Sequence, residues 1–268
     1  MTLSIAIAGA GGRMGRALIR AAAEDKRFVL VGGSERRESP ALGADLGLLA
    51  GLAAAGVVTA DSASAAANKA DIWIDFTTPD ATLAALESLT ATNTRAAIIG
   101  TTGFSPAQDD ALAAHAQRLA IVRSGNFSLG VTLLAALVEQ AASKLGPDWD
   151  VEITEAHHRR KVDAPSGTAL LLGEAAAKGR GGALKDLRGA PYEGVTGARA
   201  AGAIGFSVIR AGGIVGEHDV RFAAEREVLT LSHQALDRAV FADGALAAAV
   251  WAAGKPPGLY SMRDVIGL

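Results

Sequence analysis

The sequence predicts an α/β protein: a parallel sheet covered by helices in its first half, and a second α+β domain with a mixed or antiparallel sheet. Two observations carry the prediction. Short apolar runs alternate with longer Ala- and Leu-rich stretches up to about residue 127, and parallel neighbours need crossovers of the kind helices supply. Beyond that point the pattern changes to β-rich segments joined by short connections, as in sheets whose strands follow one another directly.

In order, Leu3 to Ala8, Phe28 to Val31, Val57 to Ala60, Ile72 to Phe76, Ala96 to Ile99 and Ile121 to Val122 read as buried strands, because parallel strands covered on both faces are continuously apolar. From Leu129, the residues Leu133, Leu137, Ala141 and Leu145 recur every four positions and mark one face of a helix that ends near Gly146-Pro147. Val151 to Ala156, Ile204 to Arg210, Ile214 to Phe222 and Glu227 to Ser232 follow as strands. Between them, residues 179–202 are dense in Gly, Ala and charge and are expected to form a surface excursion without regular structure. Gly244 to Ala253 is a late Ala-rich helix whose composition matches the first half, so a return of the chain to its first domain is expected.

Composition narrows the chemistry. Half of the 268 residues are hydrophobic and the formal net charge is −2, so no excess of charge points to a nucleic-acid or membrane partner. The chain has no cysteine, which excludes disulfides, thiolate metal sites, iron–sulfur clusters and a cysteine nucleophile. Redox chemistry must therefore use a bound cofactor. The N-terminal apolar stretch stops at Gly9, too short for a signal-peptide core or a membrane span, and a cytoplasmic location is the default expectation.

The segment Gly9-Ala10-Gly11-Gly12-Arg13-Met14-Gly15 follows the first strand and opens the first helix. Unpaired helix-start amides can hold a pyrophosphate there, and small residues let it approach, as in Rossmann-type dinucleotide-binding domains. Met14 occupies the place of the last glycine in G-x-G-x-x-G, so the motif alone is weak. Glu35 lies twenty residues beyond Gly15, just after the second strand, where an acid accepts bonds from ribose hydroxyls. Arg36 and Arg37 follow it at once and offer guanidinium groups to the 2′-phosphate of NADPH. Acid and base side by side predict use of both NADH and NADPH. Three further strand ends, Phe76-Thr77-Thr78-Pro79, Gly100-Thr101-Thr102-Gly103 and Ser124-Gly125-Asn126-Phe127, are expected at the same carboxyl edge.

A second concentration of chemistry runs from Glu155-Ala156-His157-His158 through Lys161 to Pro165-Ser166-Gly167-Thr168. Ser166 is a plausible helix cap, and the following amides of Gly167 and Thr168 suit a carboxylate. With His158, Arg160 and Lys161 adding positive charge, a substrate bearing carboxylates is expected. Reduction of an imine or conjugated C=N also needs a proton, for which His157 and Lys161 are the candidates. A metal site is not expected: His157, His158 and His218 lack a tight ligand spacing. His115 and His233 sit in unrelated contexts and read as structural or surface residues.

These residues closely resemble the dihydrodipicolinate reductase family: the Gly9 to Gly15 loop, Gly100-Thr101-Thr102-Gly103-Phe104 and above all Glu155-Ala156-His157-His158 through Lys161-Val162-Asp163-Ala164-Pro165-Ser166-Gly167-Thr168-Ala169. The likeness extends through Arg210-Ala211-Gly212 and Gly216-Glu217-His218 to the C-terminal Tyr260-Ser261-Met262-Arg263-Asp264-Val265. It implies NADH- or NADPH-dependent reduction of a cyclic hydroxy dicarboxylate to tetrahydrodipicolinate, in lysine and diaminopimelate biosynthesis. By the same resemblance, His157 is the proton donor or acceptor, Lys161 the proton donor, and His158, Gly167 and Thr168 hold substrate. Implied cofactor contacts are Gly9, Ala10, Gly11, Gly12, Arg13, Met14, Glu35, Arg36, Gly100, Thr101, Thr102, Ser124, Gly125, Asn126 and Phe127. The resemblance also implies a homotetramer built through the substrate-domain sheets. The expected division is a dinucleotide-binding domain over 1–127 and 239–268, and a substrate-binding and oligomerisation domain over 128–238. Two departures stand out: residues 179–202 are the least family-like stretch, and Arg160 stands where many members carry another histidine. The rival readings are a non-catalytic dinucleotide sensor and a different amino-acid dehydrogenase with the same nucleotide half.

Overall fold

The N-terminal apolar run forms β1 (Leu3–Ala8), buried at every position but Ser4. The computed structural model describes residues 2–268. After β1 come α1 (Arg13–Glu24), β2 (Phe28–Ser34), α2 (Leu46–Leu49), β3 (Thr59–Ala60), α3 (Ala63–Ala66), β4 (Ile72–Asp75), α4 (Pro79–Ser88), β5 (Ala96–Ile99), α5 (Pro106–His115) and β6 (Ala120–Arg123). The second part comprises α6 (Leu129–Leu145), β7 (Asp150–His157), α7 (Gly167–Gly179), α8 (Leu184–Leu187), β8 (Ile204–Arg210), β9 (Gly216–Ala223) and β10 (Val228–Ala235). The chain closes with α9 (Ala239–Ala252), β11 (Gly258–Tyr260) and α10 (Met262–Val265). It divides into two units, Met1–Ser128 with Ala239–Leu268, and Leu129–Arg238.

The first unit is a seven-stranded sheet in the order β11-β6-β5-β4-β1-β2-β3, parallel throughout. Alternation along each strand sends side chains to opposite faces. Ile5, Ile7, Ile72, Ile74, Ile98 and Val122 join a core with Leu18 and Ile19 of α1 and Ala245 and Ala249 of α9. Ala6, Trp73, Ala97, Ile99 and Ile121 face the other way, onto Ala66, Leu86 and Leu112 of α3, α4 and α5. The late Ala-rich helix thus returns to the first unit because one sheet face needs it as cover. A Cβ at Gly244 would run into the carbonyl of Phe127, so glycine permits this close packing.

The second unit is a four-stranded mixed sheet, β10-β9-β7-β8, with β7 parallel to β8 and antiparallel to β9. One face packs Val151, Ile153, Ile204, Val220 and Phe222 against Leu134 and Val138 of α6 and Leu172 and Ala176 of α7. The opposite face is laced by polar contacts: Arg221 donates to Thr154 Oγ1 at 3.1 Å and Gln234 to Glu217 Oε1 at 2.8 Å.

Three expectations change. Of Val57 to Ala60, only Thr59 and Ala60 form a strand; Val58 is exposed and makes an isolated bridge to Asp45. The four-residue repeat on α6 does not mark its buried face: Leu129, Leu133 and Leu137 are exposed, and Val131, Leu134, Val138 and Ala142 are buried. A strict four-residue step advances about 40° around a helix, so the repeat drifts and only Ala141 and Leu145 come round to touch the core. Residues 179–202 are not wholly irregular. They contain α8, Arg188 bridges to Ile204, and Arg199 donates to Glu152 Oε2 at 2.8 Å and to the carbonyl of Val151 at 2.7 Å.

Candidate functional site

In the first unit, Gly9 leaves β1 with φ +58°, a conformation that costs glycine nothing. Gly12 is the N-cap of α1 and brings no side-chain cap, so the first-turn amides around Arg13 and Met14 are the ones a helix leaves without internal acceptors. A Cβ at Gly15 would strike Gly9 O and Ala10, and one at Gly11 would stand 3.0 Å from Glu35 Oε1. The glycines thus let the loop fold tightly on itself and against Glu35 and Ala41. The residues present fit a dinucleotide: missing side chains, free helix-start amides and an acid at the end of β2.

Glu35 does more than the ribose role predicts, because its Oε1 accepts from the amide of Gly11 at 2.7 Å and ties β2 to the glycine loop. Arg36 is exposed, whereas Arg37 pairs with Asp61 at 3.2 Å. Strand order places β4 and β2 on either side of β1, the switch point at which ligands bind in open parallel sheets. A Cβ at Gly9 would lie 3.1 Å from Thr77 Cγ2, so the loop after β4 adjoins the glycine loop.

The other two strand ends follow in sheet order. Gly100 donates to the carbonyl of Asp75 at 2.8 Å, and Ser124 to that of Ile99 at 3.1 Å; a Cβ at Gly125 would lie 3.7 Å from Thr102. Ser124 Oγ donates to Asn126 O at 2.6 Å, and Phe127 is buried against Phe76 with ring centroids 5.2 Å apart. Sequence reasoning missed Asp75. Fully buried, it accepts from Thr77 N at 2.9 Å, Thr77 Oγ1 at 2.6 Å and Trp73 Nε1 at 3.4 Å. Burial pushes its carboxyl up, against the hydrogen bonds from Thr77, Trp73 and Thr82 that favour the charged form. Thr101 Oγ1 links Thr82, at 2.8 Å, to this cluster.

In the second unit the same alternation that builds the core builds the chemistry. Val151, Ile153, Glu155 and His157 lie at i, i+2, i+4 and i+6 of β7 and share a face, which therefore turns from apolar to ionisable along one strand. His218 is paired with Glu155 across β9, and Arg210 with His157 across β8. Glu155 is buried. Its Oε2 takes the Nδ1 of His157 at 2.6 Å and Arg210 Nη1 at 2.7 Å. Its Oε1 takes Arg210 Nη2 at 2.7 Å and the amide of Ser166 at 2.9 Å. Burial pushes this carboxyl up, but Arg210, His157 and the Ser166 amide outweigh it and hold it below the usual carboxylate range.

Arg210 also donates to the carbonyl of Asp163 at 2.7 Å, so one guanidinium holds both the carboxylate and the loop after β7. In that loop Lys161 Nζ lies 3.0 Å from Asp163 Oδ2. Ser166 caps α7 by accepting from Ala169 N at 3.1 Å, and its hydroxyl meets His218 Nε2 at 3.0 Å. With the Ser166 oxygen accepting at the cap, its hydrogen is free to donate to His218. Gly167 follows as the first helical residue, exposed, with nothing within 4 Å of the place a Cβ would take; Thr168 is half-buried in the same turn. His158 Nε2 stands 2.8 Å from Arg238 Nη2, and burial, with the charges of Arg238 and Arg160, pushes its imidazole down.

A third histidine joins this cluster, and a fourth needs correction. His218, distant in sequence, joins the cluster with its ring 5.2 Å from that of His157; burial, then the charge of His157, push it down to about 4. His233 is not in an unrelated context, because β10 pairs it with His218. His115 stays apart, at the end of α5 and 4.0 Å from Glu87. Among the described residues no group of three or more His, Asp or Glu is arranged to hold a metal ion, and no helix is long and apolar enough to cross a membrane.

Residues 3–127 match the model of the dihydrodipicolinate reductase N-terminus, and residues 130–266 that of its C-terminus. The chain is 53% identical over 267 residues, 99% of its own length and 98% of the relative's, to the 4-hydroxy-tetrahydrodipicolinate reductase of Parvibaculum lavamentivorans. The solved structure of a dipicolinate-bound dihydrodipicolinate reductase from Paenisporosarcina sp. TG-14 aligns over 99% of this chain and 100% of that one, with TM-score 0.77 and 25% identity. An amine dehydrogenase from Mycobacterium smegmatis, at 15% identity, TM-score 0.66 and coverage of 98% of this chain and 95% of that one, shares the fold alone. With both units matched in order and half of the residues shared with a full-length relative, the chain belongs to the dihydrodipicolinate reductase family.

Proposed function

We propose that this chain reduces 4-hydroxy-tetrahydrodipicolinate, a cyclic dicarboxylate, to tetrahydrodipicolinate with NADH or NADPH and one proton, the 4-hydroxyl leaving as water, as a step in lysine and diaminopimelate biosynthesis. The observation that carries the reading is the cluster around His157. A buried carboxylate, a guanidinium and two imidazoles adjoin a capped helix start and Lys161. That arrangement can seat carboxylates and supply a proton near neutral pH.

The nicotinamide supplies the hydride when bound. The chain's own residues have three tasks. Gly9, Ala10, Gly11, Gly12, Arg13 and Met14 cradle the pyrophosphate, with Glu35 and Arg36 reading the adenosine ribose. Gly100, Thr101, Thr102, Ser124, Gly125, Asn126 and Phe127 take the nicotinamide half. In the second unit His158, Gly167 and Thr168 hold the carboxylates, Lys161 donates a proton to the substrate nitrogen, and His157 gives or takes a proton beside it. Exposed Arg36 next to Glu35 supports use of both donors, since a phosphate finds the guanidinium and a free hydroxyl finds the acid.

A homotetramer formed through the second unit's sheet accompanies this reading, supported by Ile209 and Val228, exposed at 47% and 61%. A cytoplasmic location suits a cysteine-free biosynthetic enzyme. The direct test uses reduced nicotinamide carrying deuterium at its transferable position. Deuterium is recovered in the cyclic product with the wild type, and Lys161→Ala loses at least about 100-fold in turnover while still binding the donor. Product free of label, or full turnover in Lys161→Ala, sinks the division of roles.

A further inference from the structure

Glu155 has no part in the substrate and proton roles assigned above, although it meets His157 more closely than any of them. An ionised carboxylate only accepts hydrogen bonds. Both oxygens of Glu155 are engaged, and both donors of the Arg210 fork point at them. The hydrogen between Glu155 Oε2 and His157 Nδ1, 2.6 Å apart, therefore belongs to the imidazole. The ring's other nitrogen, Nε2, makes no hydrogen bond among the described residues. It faces Gly216, where a Cβ would stand 3.2 Å away, so the absence of a side chain there leaves Nε2 uncrowded.

We propose that Glu155, locked by Arg210, is the positioning residue that keeps a hydrogen on His157 Nδ1 and so makes Nε2 the atom through which His157 exchanges its proton. Which nitrogen of a histidine is protonated is set by the bond its other nitrogen makes, and a buried carboxylate can hold a catalytic imidazole in one tautomer without itself changing charge. The inference rests on the proposed role of His157 in the reaction. Other charged or titratable groups surround the ring: His218 from β9 with His233 behind it, Arg210 from β8, and Lys161, Asp163, His158 and Arg160 from the loop, with Arg238 on His158. Of these, His218 bonds Ser166 rather than His157, which leaves Glu155 as the partner of Nδ1.

Glu155→Gln discriminates, because its amide oxygen would keep Arg210 Nη2 and the Ser166 amide while its NH2, in place of Oε2, gives up Arg210 Nη1 and turns to Nδ1, which must then accept. The experiment is long-range proton–nitrogen correlation on 15N-histidine-labelled protein, at a pH where the imidazole is neutral, with the His157 signals assigned by their loss in His157→Asn. The wild type shows hydrogen on Nδ1. Glu155→Gln moves it to Nε2 and lowers kcat by about 10² or more, with KM for the dicarboxylate and donor affinity within about threefold. Hydrogen on Nε2 in the wild type overturns the proposal, as does a Glu155→Gln protein with the hydrogen moved and kcat within twofold. If the variant does not fold, the wild-type tautomer decides. The tautomer is read without substrate, so a chain that fails to reduce the dicarboxylate refutes the proposed function and leaves this measurement standing.

Discussion

His218 shows how a single buried side chain sets a property that can be measured from outside. It lies within the second unit beside His157, Glu155, His233 and Lys161, and is held at about 4 against an ordinary 6.5. Between those values the unfolded chain binds a proton that the folded one refuses. Its contribution to stability is therefore complete above pH 6.5, is lost as the pH falls to 4, and changes no further below that. The full effect is about 3 kcal/mol. His218→Gln, which retains a partner for Ser166, should flatten the fall of the urea midpoint between those limits. An unchanged acid dependence would show that other groups carry it. The residue was visible in the sequence but its proximity to the others was not: Arg210 and His218 lie 55 and 63 positions beyond Glu155 along the chain, and only strand register brings them together. His157 to Thr168 was legible because its residues are consecutive.

Element ends explain why the first site is built where it is. Four parallel strands, β1, β4, β5 and β6, finish at one edge, and a glycine or threonine stands within two residues of the end of each, at Gly9, Thr77, Gly100 and Gly125. Within the glycine loop after β1, Gly15 is the most closely packed. Gly15→Ala would drive a methyl into Gly9 O and Ala10 and must open the loop, so donor affinity should fall roughly tenfold or more while the unfolding midpoint of the second unit is unchanged; calorimetric titration with the donor and denaturation of the variant separate the two. Equal donor affinity in the variant would remove the glycine loop from the cofactor site. At the start of α7, Ser166→Ala removes both the cap to Ala169 and the partner of His218, and should cost about 1–2 kcal/mol in the denaturation midpoint; a cost near zero would mean that the cap is dispensable. Apolar runs and glycine spacing made these strands and loops legible. Helix faces were less so, because the α6 leucines repeat every four residues and drift off the core, and Asp75 gave no signal because a lone acid at a strand end looks like any turn residue.

At the scale of the whole molecule, each of the two units carries one candidate site: a parallel sheet with the glycine loop at its carboxyl edge, and a mixed sheet whose inner face ends in ionisable residues. The return of α9 to the first sheet was readable from its alanines, whereas the order of strands in the second sheet was not, since β7 reaches β8 only through the long connection that carries α7 and α8, and β9 then pairs with β7 rather than with β8. The second sheet carries helices on one face only, and if its other face assembles a tetramer, Ile209→Glu with Val228→Glu should reduce the mass found by sedimentation from four chains to fewer. Persistence of the tetramer would place the interface elsewhere. The chain is mixed with reduced nicotinamide and 4-hydroxy-tetrahydrodipicolinate, and the absorbance of the reduced nicotinamide is followed. It should fall with NADH and with NADPH, and only when the dicarboxylate is present; no dicarboxylate-dependent fall with either donor would contradict the account.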